Sequence, residues 1–243
     1  RYIKDDTKEY RGEMILGGIS DTQDRTGNIN RINSVTVEAD RINEVFNEFV
    51  GEIEQIPPMF SAVHYQGRRL YELARQGIEV PVKPRRVKIH YFSLHEVVSE
   101  NNQQIVRFSV GCSTGTYVRT ICHDVGQKLG CGAYLTSLTR TRSGPFKLNE
   151  AVDLEYLINT WKDVESLMLP IDYPLHEMSK VVLEPSLVRN INNGGAVNWP
   201  GVEDQKRYLV YDQDGRFLAI ARGNIQNNNE VLKPEKVLIG GEN

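Results

Sequence analysis

The stretch from Val106 to Thr141 constrains the fold more than any other part of the chain. Val106, Phe108, Val110 and Cys112 alternate with their neighbours, the two-residue period of a half-buried strand. Ser113-Thr-Gly115-Thr then turns the chain. Val118, Ile121, Val125 and Leu129 follow at spacings of three, four and four, the apolar stripe of a helix that Gly130 closes. Tyr134 to Thr141 returns as a strand. A strand, a helix and a strand in immediate succession point to an α+β fold. The order also leaves Arg119 in the first turns of the helix, able to reach back over the strand end. Its planar fork suits a carboxylate or a phosphate, and a plain surface arginine fits the same position.

The flanking sequence supplies more strands. Tyr10 to Ile19 reads as one, with Gly12, Met14 and Leu16 on one face and Arg11 and Glu13 on the other. The turn formers from Asp21 to Gly27 follow, and Asp24 is placed to accept from nearby backbone N–H groups. Arg41 to Ile53 has a helical stripe of Val45, Phe46, Phe49, Val50 and Ile53, and Pro57-Pro58 ends any helix. Val87 to Val98 and Ile105 to Cys112 read as a strand pair turned at Glu100-Asn-Asn-Gln103. Leu154 to Trp161 reads as a short helix. A second unit is expected from about Met178. It holds a helix from Pro185 to Asn192, a hairpin of Arg207 to Tyr211 and Phe217 to Arg222 turned at Asp214-Gly215, and a last strand from Lys236 to Ile239. Short strands of this kind suggest a small β-barrel.

The chain has 243 residues and a net charge of −3, so no global attraction draws it to nucleic acid. One local segment departs from that balance. Between Pro58 and His90, Arg68, Arg69, Arg75, Lys83, Arg85, Arg86 and Lys88 face only Glu72 and Glu79, with Tyr65 and Tyr71 interleaved. A short helix (Arg69 to Gln76) and an extended run spaced by Pro81 and Pro84 carry them. Basic and aromatic residues on such an excursion suit a nucleic-acid backbone, and a solvated loop has the same composition. Cys112, Cys122 and Cys131 form no CxxC pair and read as small buried residues of a reducing cytoplasm. Cys122-His123 beside Cys131 is a weak zinc hint, and the five histidines show no metal spacing. No phosphate-cradling glycine loop, nucleophile elbow, signal peptide or membrane-length apolar run occurs, so no metal, cofactor or membrane association is expected.

Five motifs in order resemble the TruB family of tRNA pseudouridine synthases. Lys8-Glu-Tyr10-Arg11 resembles the family's tyrosine motif, and Gly18-Ile-Ser-Asp21-Thr22-Gln-Asp24 its Thr-Asp-Thr-x-Asp segment. Gly51-Glu-Ile-Glu-Gln-Ile-Pro57-Pro-Met-Phe-Ser61-Ala, continued by Gly67-Arg-Arg-Leu-Tyr71-Glu-Leu-Ala-Arg75, resembles the entry to an RNA-gripping thumb spanning about 58–90. Ser113-Thr-Gly115-Thr-Tyr117-Val-Arg119-Thr and Gly130-Cys-Gly-Ala-Tyr-Leu-Thr-Ser-Leu138-Thr-Arg140 resemble the arginine and leucine motifs.

The resemblance implies an α+β pseudouridine synthase fold with a mixed, mainly antiparallel sheet over residues 1–177. It further implies a PUA-like RNA-binding β-barrel over 178–243. It implies isomerisation of uridine 55 in the T arm of tRNA without cofactor, by a monomeric, cytoplasmic protein. It casts Arg119 as the partner of a catalytic aspartate and Tyr10 as the ring that stacks on the extruded base. Leu138, Tyr117 and Asp24 would line or support the uridine pocket, and the seven basic residues would grip the T-arm stem-loop. The family's aspartate belongs to a Gly-x-Leu-Asp motif upstream of the tyrosine strand, which these residues do not contain. The nucleophile is therefore expected upstream of Arg1. The alternative is an RNA-binding fragment that catalyses nothing.

Overall fold

The computed structural model describes residues 2–3, 5–31, 36–160, 164–226 and 229–238. Arg1, Trp161 and Ile239, which bound elements expected from sequence, lie outside them. The chain divides into two compact units, Lys4–Ala151 and Arg1–Ile3 with Val152–Asn243. The second unit thus begins at Val152, earlier than Met178.

The first unit is built on a six-stranded sheet in the order β10-β9-β1-β8-β7-β4. Its strands are β1 (Lys8–Leu16), β4 (Gly51–Gln55), β7 (Arg85–Glu100), β8 (Gln103–Cys112), β9 (Ala133–Ser143) and β10 (Phe146–Lys147). Among the described residues every strand pairing in this sheet is antiparallel, where a mixed, mainly antiparallel sheet was expected. The expected strand from Tyr10 to Ile19 breaks at Gly17, whose φ is +86°, and resumes as the short β2 (Gly18–Ser20) paired with β3 (Ile29–Arg31). β7 and β8 form a hairpin across Asn101 and Asn102, at φ +50° and +60°, a backbone that matches strand twist.

Two helices cover one sheet face. α1 (Ala39–Glu48) lays Ile42, Val45 and Phe46 on it, and α3 (Val118–Lys128) adds Val118, Ile121, Cys122 and Val125. Phe46 stacks on Phe92 at 3.7 Å, and Phe92 meets Phe108 edge-on at 5.4 Å. Each such side chain contributes about 1.5–3 kcal/mol on burial. Gly12 is the slot for Phe108, because a β-carbon there would lie 2.6 Å from the ring tip. α1 stops well short of the expected Ile53. Gly51 takes φ +111°, and Glu52 to Gln55 pair with Lys88 to Arg85 instead.

Between β4 and β7 the chain makes its excursion. β5 (His64–Tyr65) and β6 (Arg68–Arg69) form a hairpin, and α2 (Leu70–Ala74), shorter than the expected Arg69–Gln76 helix, buries Leu70 and Leu73. The second unit contains α4 (Leu154–Asn159), α5 (Val164–Leu167) and α6 (Pro185–Asn192). Its five-stranded sheet runs β11-β13-β14-β15-β12, with β11 (Ser179–Val182) parallel to β13 (Arg207–Tyr211) and the other pairs antiparallel. β14 (Phe217–Gln226) and β15 (Asn229–Val237) are longer than the strands expected there, and β12 is Val197–Asn198.

Candidate active site

The site forms where the loop after β2, the start of α3 and the middle of β9 converge. Asp24 makes a parallel bridge to Leu135. Arg25 N–H donates to the Leu135 carbonyl at 2.9 Å, and Leu135 N–H donates to the Gln23 carbonyl at 3.1 Å. The loop is thereby strapped to β9. Asp24 Oδ1 accepts from Thr22 Oγ1 and from Thr26 N–H, each at 2.9 Å, as the turn formers suggest.

Its other oxygen, Oδ2, accepts from Arg119 Nη1 at 3.0 Å. The two side chains are only 22% and 19% exposed, so water screens the pair weakly. Burial works to raise the Asp24 carboxyl. Hydrogen bonds from Thr26, Arg119 and Thr22 outweigh it and hold the group below the ordinary aspartate value. Arg119 Nη2 also donates to the Phe60 carbonyl at the root of the excursion. A guanidinium carries five N–H donors. Two are engaged by Asp24 and Phe60, so the group keeps capacity for a second anion.

Tyr10 and Leu138 lie on neighbouring strands and on one face: Tyr10 opposes Arg140, and Gly12 opposes Leu138. Phe108 fills the space above Gly12, giving that face an apolar floor. Leu138 is 40% exposed and suited to walling a pocket, since among the described residues β10 covers β9 only at Ser143 and Arg142 and leaves that edge open at Leu138. Tyr10 is half-buried against the core. Burial raises its phenol, Cys112 adds to the effect and Arg140 opposes it, so the ring stays neutral. Tyr117 precedes α3 with extended backbone and no capping side chain of its own. Its backbone is held by Gln55: Tyr117 N–H donates to Oε1 at 2.7 Å, and Nε2 donates to the Tyr117 carbonyl at 3.1 Å.

The seven basic residues are exposed without exception. Arg69 and Arg75 flank the Tyr71 ring at 5.9 and 5.4 Å, and Arg68 donates to Gln76 at 2.9 Å. Lys83 and Arg85 border a cleft of about 420 Å³ with Val63 and Leu70 at its floor. Arg86 and Lys88 project from β7 opposite buried Val87 and Ile89. Glu54 lies 3.9 Å from Arg86, an acidic neighbour additional to Glu72 and Glu79.

Sequence reasoning placed Asp24 in a pocket loop but did not join it to Arg119, 95 residues away. It missed the supports Gln55, which is buried, and Gln23, which is half-buried, altogether. A polar residue just before Pro57-Pro58 was the only visible sign of Gln55.

Comparison with known proteins agrees with this arrangement. Residues 1–118 match the family model for the TruB family pseudouridylate synthase N-terminal domain, and residues 119–176 match that for the tRNA pseudouridylate synthase B C-terminal domain. The tRNA pseudouridine synthase B of Syntrophomonas wolfei is 43% identical over 238 residues, covering 97% of this chain and 79% of that protein. The protein of the same name from Bacillus licheniformis is 35% identical over 98% of this chain and 80% of its own length. Among solved structures, a Cbf5–Nop10–Gar1 complex superposes with a TM-score of 0.64 at 25% identity, over 95% of this chain and 66% of the matched one.

These matches define the class: an RNA-isomerising enzyme fold. The chain belongs to the TruB family of tRNA pseudouridine synthases.

Proposed function

We propose that this chain carries the arginine half of the catalytic centre and the RNA grip of a synthase that converts uridine 55 in the T arm of tRNA to pseudouridine. The observation that carries the reading is the shielded Arg119–Asp24 pair, beside strands that present Tyr10 and Leu138 on one face. The reaction breaks the N-glycosidic bond, turns the uracil and rejoins it through C5. A stacked uridine must first leave the RNA helix, at a cost of a few kcal/mol. Tyr10 offers the replacement stacking surface, and its raised phenol keeps the ring uncharged.

Asp24 fixes the guanidinium from one side, and the spare donors of Arg119 hold the nucleophilic carboxylate ionised and oriented. That carboxylate is the aspartate of a Gly-x-Leu-Asp motif, which we place upstream of residue 1 because these residues contain none. Asp24 is the orienting group, since its two oxygens are already committed to Thr22, Thr26 and Arg119. Leu138 screens the detached base from water. Tyr117 supports the helix start, and the basic excursion closes on phosphates of the T-arm stem-loop. The second unit, with its five-stranded sheet, acts as a PUA-like RNA-binding module. We also propose that the protein works as a cytoplasmic monomer, its three cysteines being free thiols as a reducing compartment keeps them.

A second reading rests on the same missing motif: these 243 residues alone bind tRNA without turnover. Assaying pseudouridine at position 55 of a tRNA transcript separates the two. A chain extended upstream should modify the site, and the 243-residue chain should only bind. In the extended chain, Arg119→Ala should lower the single-turnover rate by about 100-fold or more while tRNA affinity changes little. Wild-type turnover by that variant would sink the assignment.

A further inference from the structure

The geometry points to Gln55 as a positioning residue for Arg119, acting through the backbone of Tyr117; the inference rests on the catalytic reading of Arg119 given above. Gln55 is the last residue of β4, is 3% exposed, and opposes Arg85 across the base of the excursion. Burying a primary amide is costly unless both its ends are bonded. Here both ends close on a single residue, accepting from Tyr117 N–H and donating to the Tyr117 carbonyl, 62 positions along the chain.

What that achieves follows from where Tyr117 sits. Serine, threonine, aspartate and asparagine are preferred at the residue before a helix because their side chains bond its free N–H groups. Tyr117 supplies no such bond, so the first turn of α3 lacks the usual local fastening. The Tyr117 carbonyl also accepts from Thr120 and Ile121 N–H, each at 3.1 Å, so it is the origin of the helical ladder. Gln55 therefore pins the point from which α3 is laid down, two residues before Arg119.

A second fastening lies on the far side of Arg119. Thr120, itself 4% exposed, donates its hydroxyl to Gln23 Oε1 at 2.6 Å. The Gln23 carbonyl is in turn bonded by Leu135 N–H beside Asp24. Gln55 and Gln23 thus fasten the turn that carries Arg119 at the residues on either side of it in sequence, Tyr117 and Thr120. The same root segment supplies the Phe60 carbonyl that accepts from Arg119. Loss of the Gln55 clamp would let the helix start shift, and a misplacement of about 1 Å at a catalytic group can cost about 100-fold in rate.

A filler role and a positioning role make different predictions for Gln55→Met, which keeps length and removes both bonds. In the 243-residue chain, the Tyr117 amide should exchange at least about tenfold faster. The Asp24 carboxyl, followed by carbon-13 NMR, should titrate higher than in wild type, because Arg119 is among the groups that lower it. In the upstream-extended enzyme, kcat should drop by about 100-fold with little change in tRNA affinity, and the loss should be strongly non-additive with that of Arg119→Lys. An unchanged Asp24 titration, or a rate loss that simply adds to that of Arg119→Lys, overturns the inference. Should Gln55→Met fail to fold, Gln55→Asn, which keeps the amide but falls short of Tyr117, is read by the same two measurements. A wild type that never modifies tRNA while the variant still shifts Asp24 defeats the functional reading and leaves the positioning intact. A wild type that turns over, with Asp24 unmoved in the variant, does the reverse.

Discussion

Replacing Asp24 by asparagine tests the centre of the site without needing turnover. Asparagine has the same outline but no charge. Thr26 N–H can only donate, so the amide oxygen must stay on that side. The amide nitrogen is then turned toward Arg119 Nη1, donor against donor, where Oδ2 had accepted at 3.0 Å. A hydrogen bond to a charged group is worth about 1.5–3 kcal/mol net, and partial exposure of both partners favours the lower end, about 1.5 kcal/mol. With a urea slope of about 2 kcal/mol per molar for a unit of this size, the midpoint should fall by about 0.7 M. One of the two tryptophans, Trp199, lies in the second unit, and the other, Trp161, also follows Ala151. The assay should therefore follow methyl signals of Ile121 and Val125, fully buried in the first unit.

The pH dependence gives the sharper check. The Asp24 carboxyl is lowered in the folded state, so its contribution is complete above the unfolded value of about 3.9. It is lost as pH falls through the lower folded value. The gap between wild type and Asp24→Asn should be full at pH 7 and close on acidification below about 4. A gap absent at pH 7, or one of constant size wherever the fold persists, would refute the argument.

Gly126→Ala should destabilise the same unit, because the new β-carbon would lie 2.0 Å from Ala133 N and 2.6 Å from its β-carbon. Overpacking of about 1–3 kcal/mol should exceed the roughly 1 kcal/mol gain in helix propensity, and the same methyl titration would show it; an unmoved midpoint would count against the close helix–strand approach. Changing Arg68, Arg69 and Arg75 together to glutamine should lower tRNA affinity and flatten its salt dependence by about 0.7–0.9 in logarithmic slope for each phosphate no longer neutralised. A steep slope that survives all three changes would remove the excursion from the RNA grip.

Much of this architecture was legible in short-range pattern. The period of two in β1 and β8 and the three-four spacing in α3 are enforced by one-sided burial, so the sequence displays them directly. The 185–192 helix and 207–211 strand were located to the residue as well, the first by the proline at its start and the glycines after it, the second by its run of apolar and aromatic residues before Asp214-Gly215. Ile53 misled because its spacing from Phe49 fits a helix. Only the positive φ at Gly51 and the ladder to β7, a long-range partner, make it a strand residue.

The site shows the same division. Arg119, Tyr10 and Leu138 sit in recognisable motifs. Asp24 reaches Arg119 through a bridge to Leu135, and Gln55 reaches Tyr117 across 62 residues; tertiary contacts of that kind leave no local periodicity. The second unit's start at Val152 was hidden too, because α4 and α5 keep Leu154, Ile158 and Val164 exposed and bury no residue of their own.

The pairing of Gln55 with Arg85 has a further consequence. The chain leaves the sheet and re-enters it one strand spacing apart, so everything between is a loop with its ends already joined. Doubling such a loop costs only about 0.6 kcal/mol in chain entropy. Loop length between those two residues is then a cheap variable for the fold, and the outer part of the excursion can be lengthened or shortened without disturbing the strands beneath. Gln55 and Phe60 mark the limit of that freedom, because the amide of one holds the start of α3 and the carbonyl of the other accepts from Arg119.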